Sequence, residues 1–219
     1  MTETLFDQQA WFDRIRYSGP PTPTLETLNK LIVAHAHAIS YETLDIMLGR
    51  PPKLDVATLQ SKMIAGRRGG YCFEQNMLFR AGLRSLGYRI TSLQGRVIRG
   101  MEIDAPRPGI HMLLQIDLPE GQCLADVGFG NLAPTAALLL KPHIEQETPH
   151  EVMRFIDVEG ELTLQARLKH GWEHIYRVIP YPRHDAGTRP RTRRRRTRPT
   201  SSLQSLGLIG RGSPCTMRV

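Results

Sequence analysis

The chain is poor in cysteine and in long apolar runs, and each shortage excludes a class of protein. Cysteines stand only at positions 72, 123 and 215 of 219 residues, an odd and sparse set that argues against the disulfide framework of a small secreted protein. None has the spacing of a zinc ligand, so we predict no metal site. No stretch approaches about 18 uncharged apolar residues, and the N-terminus lacks the basic start of a signal peptide. These absences predict a cytoplasmic protein with no membrane partner.

The positive charge is concentrated near the C-terminus. The formal net charge is +8, but ten arginines, no lysine and one acidic residue lie from Arg183 onward. The preceding residues are therefore close to neutral, and the basic pI says nothing about what they bind. The run RTRRRRTRP has no apolar periodicity, so we predict that residues 187–219 form an aberrant, disordered tail. Such a run binds phosphate non-specifically, and we expect no specific nucleic-acid partner.

Two kinds of apolar periodicity divide the rest of the chain. Up to Gly87 the spacing is helical, with N-caps predicted at Thr24 and Asp55 and a buried helix over Cys72–Leu86. From residue 88 the pattern alternates, which predicts strands at YRITSLQGRVI, HMLLQIDL, QCLADVGF, RFIDVEGELTLQARL and EHIYRVIPY. Helices followed by antiparallel strands indicate an α+β protein. We predict a helical domain over residues 1–87 and a β domain over residues 88–186.

Cys72 has neighbours that a core-filling cysteine does not need. It follows a basic pair and two glycines in RRGGYCFEQN, at the first turn of the buried helix. A helix N-terminus favours the nucleophilic thiolate, and its free N–H groups suit a developing oxyanion. Gly69 and Gly70 permit a tight turn and close approach of a substrate. A lone cysteine is nevertheless more often a buried core residue, and Cys72 by itself leaves both interpretations open.

His111 and Asp126 supply partners for such a thiol. His111 opens the strand HMLLQIDL, and Asp126 lies inside the apolar strand CLADVGFG, where a carboxylate must be paired. The segment between them, LPEGQ, predicts a hairpin turn. An even-numbered loop puts both side chains on one sheet face, whereas an odd loop or a bulge separates them. On one face, Asp126 would orient the imidazole, and the imidazole would deprotonate Cys72.

These blocks, in this order, resemble the arylamine N-acetyltransferase family. RRGGYCFEQN is similar to the signature around the acylated cysteine of that family, which corresponds to Cys72. RPGIHMLLQI and LADVGFG resemble the blocks of the catalytic histidine and aspartate, which implies these roles for His111 and Asp126. SYETLDIMLG resembles an upstream block and implies an ion pair between Glu42 and Arg68. The likeness runs to about residue 182. Its one departure within these blocks is Ile110, where the family usually has threonine.

The resemblance implies a helical bundle, an antiparallel β-barrel, a cysteine-protease-like Cys-His-Asp core and a C-terminal lid. It implies ping-pong transfer of an acetyl group from acetyl-CoA, through acetyl-cysteine, to an arylamine or arylhydrazine in xenobiotic metabolism. No permanently bound cofactor is implied. An arylamine has a low pKa and is unprotonated at neutral pH, so it can attack a thioester. By the same analogy, Phe129, Val97, Gly128 and Gly130 would line the acceptor pocket.

The resemblance fails after about residue 186. The sequence then has an Arg/Pro/Thr run where the family continues into its lid, so we expect the lid to be missing and hypothesise a disrupted reading frame. Resequencing the locus tests this, because an intact frame with the same tail would refute it. Three alternatives stay open: a Cys-His-Asp hydrolase, a transglutaminase-like enzyme, and an inactive truncated remnant.

Overall fold

Helices occupy the first part of the chain in the computed structural model, which describes residues 6–103 and 106–179. The N-cap predicted at Thr24 is confirmed, since its hydroxyl accepts the Thr27 N–H at 3.2 Å. Asp55 caps its helix in the same way, through the Thr58 N–H at 2.9 Å. The helices are α1 (Gln8–Ile15), α2 (Leu25–Ala38), α3 (Leu44–Met47), α4 (Val56–Leu59), which continues as a π-helical turn (Gln60–Ala65), and α5 (Cys72–Ser85). None of these described helices is long and apolar enough to cross a bilayer.

Two details of the helical part differ from the sequence pattern. The segment LDIMLGRPPKLD contains the short helix α3, although its prolines and glycine are typical of a connection. The helix that Asp55 caps widens into the π-helical turn at Gln60, which the helical spacing of the sequence does not indicate. The widened turn frees the Lys62 carbonyl, which accepts the Arg68 N–H at 3.1 Å and so shapes the approach to α5.

A single antiparallel sheet forms the second part. Its eight strands follow the order β4-β3-β2-β1-β8-β7-β6-β5. The long expected run over residues 154–168 is two strands, separated by a turn with Gly160 at φ +82°. The strands are β1 (Arg89–Val97), β2 (His111–Leu118), β3 (Gly121–Ala125), β4 (Leu138–Leu139), β5 (Glu145–Glu147), β6 (Val152–Val158), β7 (Glu161–Leu168) and β8 (Gly171–Ile179).

The two terminal strands of this sheet meet through one side chain. The Gln146 amide in β5 accepts the Leu139 N–H of β4 at 2.7 Å and donates to the Leu139 carbonyl at 3.0 Å. These are the two bonds that a neighbouring strand would make. Gln146 therefore bridges the sheet edges and makes the sheet barrel-like.

Strand β2 is shared by two apolar cores. Met112, Leu114 and Ile116 pack with the helices, around Trp11. Leu113, on the opposite face, packs inside the sheet. Burial on both faces explains why β2 has an almost continuous apolar sequence. The described residues belong to one compact unit, and the predicted tail over residues 187–219, with Cys215, lies outside the described residues.

Candidate active site

Cys72 is the first residue of α5 and is partly exposed. Its Sγ lies 3.9 Å from the carbonyl oxygen of Ile110, the residue just before β2 begins. The turn before it presses against the chain near Ser40: a Cβ on Gly69 would lie 2.1 Å from the Ser40 carbonyl oxygen. Only glycine allows this contact, which explains the glycine pair in the sequence.

His111 and Asp126 are in direct contact. Asp126 Oδ2 lies 2.7 Å from His111 Nε2, and both side chains are buried. In the hairpin between them Leu118 pairs with Gly121, so the loop has two residues. An even loop was the alternative that puts both side chains on one face. Cys72 also raises the pKa of His111, and because Nε2 is occupied by Asp126, Nδ1 is the nitrogen left to face the sulfur.

Asn76 is a residue of this site to which sequence reasoning assigned no role. Its amide nitrogen donates to Asp126 Oδ1 and to the Met112 carbonyl, each at 2.9 Å. Its amide oxygen accepts the Val127 N–H at 3.1 Å. Asn76 lies one helical turn after Cys72, so it ties α5 to β2 and to Asp126, which directly follows β3. Its place four residues after the cysteine was the available signal.

Gly128 completes the contacts of Asp126. Its N–H donates to Asp126 Oδ1 at 2.9 Å. A Cβ on Gly128 would lie 2.7 Å from the Cys72 carbonyl oxygen and 2.7 Å from Asn76 Nδ2. Glycine is therefore required at this position because two elements meet there backbone to backbone.

The electrostatics of the site favour an ionised pair. Burial by itself would lower the pKa of His111, but the charge of Asp126 and hydrogen bonds with Asp126 and Cys72 raise it well above 6.5. Burial by itself would raise the pKa of Asp126, but His111, Asn76 and the Gly128 N–H keep it below its usual value. A protonated imidazole beside a thiol favours the thiolate. His111 and Asp126 are therefore ionised together at neutral pH.

A cluster of charges braces the turn before Cys72. Arg68 is ion-paired with Glu42, as the sequence resemblance implied, and lies 3.1 Å from Asp45. Lys62 bridges Asp45 and Glu74, each at 2.8 Å. The other carboxylate oxygen of Glu74 accepts the Tyr71 N–H at 3.1 Å, at the N-terminus of α5. Within the described residues no cluster of His, Cys, Asp or Glu is arranged to hold a metal ion.

The chain matches known proteins over most of its length. A family model described as N-acetyltransferase matches residues 24–214, further toward the C-terminus than the likeness read from the sequence. The arylamine N-acetyltransferase / N-hydroxyarylamine O-acetyltransferase of Salmonella typhimurium is 41% identical over 167 residues, covering 76% of this chain and 59% of that protein. The chain belongs to the arylamine N-acetyltransferase family.

Solved structures of the family have the same fold. The arylamine N-acetyltransferase of Mycobacterium marinum superposes with a TM-score of 0.79 at 39% identity, covering 82% of this chain and 67% of that one. The same enzyme in complex with CoA superposes at 0.78 and 38% identity, covering 81% and 67%. The chain spans about three fifths of the length of the Salmonella relative.

Two aromatic rings lie beside His111. The rings of Phe129 and Tyr176 lie 5.2 Å and 5.5 Å from the imidazole, and 5.3 Å from each other. Val97 pairs with Tyr176 across the β1–β8 ladder and therefore lies on the same sheet face. Burial and then the charge of Asp126 raise the pKa of Tyr176, so its hydroxyl stays protonated. Tyr176 was not singled out in the sequence, where it is one residue of an ordinary strand.

The mouth of the site has exposed apolar side chains. Tyr41 is 48% exposed and Ile110 is 61% exposed. Burial, and then the neighbouring Cys72, raise the pKa of Tyr41, and Tyr41 forms a bridge with Gly70, two residues before Cys72. Gly130, at φ +80°, leaves room for the Tyr41 ring, to which a Cβ would come within 3.5 Å. Apolar groups thus surround the opening through which Cys72 is reached.

Proposed function

We propose that this chain is an acetyl-CoA-dependent arylamine N-acetyltransferase in which Cys72, His111 and Asp126 are the catalytic residues. One observation carries the proposal: His111 is hydrogen-bonded to Asp126, and the Cys72 sulfur lies 3.9 Å from the carbonyl oxygen of Ile110, the residue before His111. This is the order orienter, base and nucleophile. Family membership and the M. marinum complex with CoA support the donor. The names of the relatives support an arylamine acceptor.

The reaction has two half-reactions. The Cys72 thiolate attacks the thioester carbonyl of acetyl-CoA and forms a carbon–sulfur bond. The bond to the CoA sulfur then breaks, and CoA leaves as a thiol with the proton of His111. In the second half-reaction the amine nitrogen attacks the acetyl-cysteine carbonyl, His111 takes the amine proton, and the Cys72 thiolate is released. Asp126 keeps the imidazole aligned and stabilises its charge in both halves.

The walls of the site suit a flat aromatic acceptor. Phe129 and Val97 offer apolar surface beside His111, and we propose that they contact the acceptor ring. Gly128 and Gly130 bring backbone close to the reacting atoms without side chains in between. An arylhydrazine fits the same walls and has an equally unprotonated nitrogen. We propose a cytoplasmic site of action, because the nucleophile must stay reduced.

We keep the two-domain division as part of this proposal. A helical domain over residues 1–87 would carry the nucleophile, and a barrel domain over residues 88–186 would carry His111 and Asp126. Because the contacts of all three residues lie within the described ranges, acyl transfer from a small donor should not require residues beyond them.

The test compares acyl transfer with hydrolysis. The protein is mixed with acetyl-CoA and an arylamine, and the N-acetylated amine is measured by liquid chromatography. The proposal predicts acetylated amine from the wild-type chain and none from Cys72→Ala. Release of free amines from a peptide substrate, without acetylated arylamine, would instead establish a hydrolase or transglutaminase-like enzyme.

A further inference from the structure

A buried polar chain lies beneath the turn that leads into Cys72. Gln75, one turn along α5, is fully buried, and so is His35 of α2. Gln75 Oε1 lies 2.9 Å from His35 Nε2. The Gln75 amide nitrogen lies 2.7 Å from the Ser40 carbonyl oxygen and 3.3 Å from those of Ile39 and Gly70. Neither side chain has a part in the reaction described above.

The orientation of these groups is determined by their partners. Three carbonyl oxygens surround one end of the Gln75 amide, and that end must therefore be the donating nitrogen. The other end is the oxygen, so His35 Nε2 must carry a proton and donate to it. Burial lowers the pKa of His35 to about 4, partly offset by its bond to Gln75. His35 is thus a neutral donor at physiological pH, and it is not a proton carrier.

The carbonyls that Gln75 holds belong to the two sides of the mouth. Gly70 lies two residues before Cys72, and its carbonyl also accepts the Glu42 N–H at 3.0 Å. Its N–H donates to the Ser40 carbonyl at 3.2 Å. Tyr41 lies between Ser40 and Glu42, which are both bonded to Gly70, and itself forms a β-bridge with Gly70. The Gln75 amide therefore links the turn before Cys72 to the segment that carries the Tyr41 ring.

We propose that Gln75, held in orientation by His35, is a positioning residue that sets the distance between Cys72 and the Tyr41 wall. It touches no reacting atom and acts through the backbone of Ser40 and Gly70. The inference rests on the proposed acyl transfer. Its consequence is selective: the thiolate, which depends on His111 and Asp126, stays intact without Gln75, whereas the approach of acyl donor and acceptor is lost.

The first test separates thiolate formation from acyl transfer. Gln75→Leu is compared with Gln165→Leu, which removes a buried β7 amide bonded to Arg154 and His174. Iodoacetamide alkylation of Cys72 reports the thiolate, and acylation by p-nitrophenyl acetate reports transfer, both followed by intact mass. For Gln75→Leu we expect acylation to fall about ten- to hundredfold, with alkylation within about threefold of wild type. Gln165→Leu should leave both rates unchanged.

The second test uses a shape-conserving variant. In Gln75→Glu a carboxylate faces the three carbonyls and repels them, but its protonated form can donate to Ser40 again. His35 and Arg14 are ionisable groups of neighbouring helices close to this position, and Arg14 lowers the pKa of His35. We expect the ratio of variant to wild-type acylation rates to rise as the pH falls from 8 to 6, by about tenfold.

Three outcomes have distinct meanings. The positioning role would be overturned, and a structural one left, if alkylation and acylation rates fell equally in Gln75→Leu. A ratio of Gln75→Glu to wild-type acylation rates that did not change with pH would have the same meaning. If Gln75→Leu does not fold, the ratio measured with Gln75→Glu decides. Failure of wild-type Cys72 to be acylated would refute the proposed function itself.

Discussion

Replacing Asp126 by asparagine removes the charge that organises the site and keeps the shape of the side chain. The buried carboxylate holds His111 at 2.7 Å and accepts from Asn76 and the Gly128 N–H, each at 2.9 Å. The new amide can keep the bonds from Asn76 and Gly128 through its oxygen. Its nitrogen then donates to His111 Nε2, so the imidazole proton moves to Nδ1, the nitrogen that faces Cys72.

The magnitude follows from the electrostatics. Without the carboxylate, burial is the main influence on His111 and lowers its pKa, so the imidazole is neutral near pH 7. No cation then favours the thiolate. An ordinary protein thiol, with a pKa of about 8.5, is about 1% ionised at pH 6.5. The proposed function requires that Cys72 is mainly ionised at that pH in the wild type, and we therefore expect the thiolate fraction to fall about a hundredfold in Asp126→Asn.

The assay is the rate of iodoacetamide alkylation of Cys72 between pH 5 and 9, followed by intact mass. Wild type should react at a rate that is nearly constant over the neutral range. Asp126→Asn should react about a hundredfold more slowly at pH 6.5 and approach the wild-type rate only at alkaline pH. Near-UV circular dichroism serves as the control for folding. Equal rates at pH 6.5 in two folded proteins would refute the ion-pair account.

Other variants test separate parts of the structure. Asn76→Ala leaves Asp126 with fewer donors and should lower the free energy of unfolding by about 1–3 kcal/mol and slow acylation, measured by urea titration and stopped flow. Gly128→Ala should abolish acylation, because its Cβ would lie 2.7 Å from the Cys72 carbonyl oxygen; wild-type turnover would contradict the packing. Gln146→Leu should cost about 1–2 kcal/mol of stability and leave acylation unchanged. The stability difference between wild type and Asp126→Asn should be largest between pH 3.8 and 6.5. It should decrease below this window as Asp126 becomes protonated, and above it as His111 loses its proton. A pH-independent difference would contradict an ion pair between Asp126 and His111.

Much of the fold could be predicted because local patterns and tertiary structure agree. The cap at Thr24, the helix that begins at Cys72 and the hairpin before Asp126 each follow from a few neighbouring residues. The strands β4 and β5 could not be predicted, since they have only two and three residues and form against distant partners. The π-helical turn after Leu59 likewise depends on contacts with α5, which no local pattern encodes.

The residues of the candidate site could likewise be predicted only where their own sequence neighbourhood is unusual. Cys72, His111 and Asp126 are reactive residue types in unusual surroundings, so the sequence could mark them. Asn76 and Tyr176 act through contacts with residues that are distant in the sequence. The one local signal was the place of Asn76 four residues after Cys72, and Tyr176 had none. His35 likewise could not be marked from the sequence, because its partner Gln75 lies 40 residues further along the chain.

The central claim is that the sulfur of Cys72 carries the acetyl group between donor and acceptor. The direct measurement is intact-protein mass after brief mixing with acetyl-CoA, on wild type and Cys72→Ala, followed by addition of an arylamine. We predict that wild type gains one acetyl group on Cys72, that the amine removes it, and that Cys72→Ala gains none. An acetyl group on another residue, or one on Cys72 that no arylamine accepts, would contradict the account.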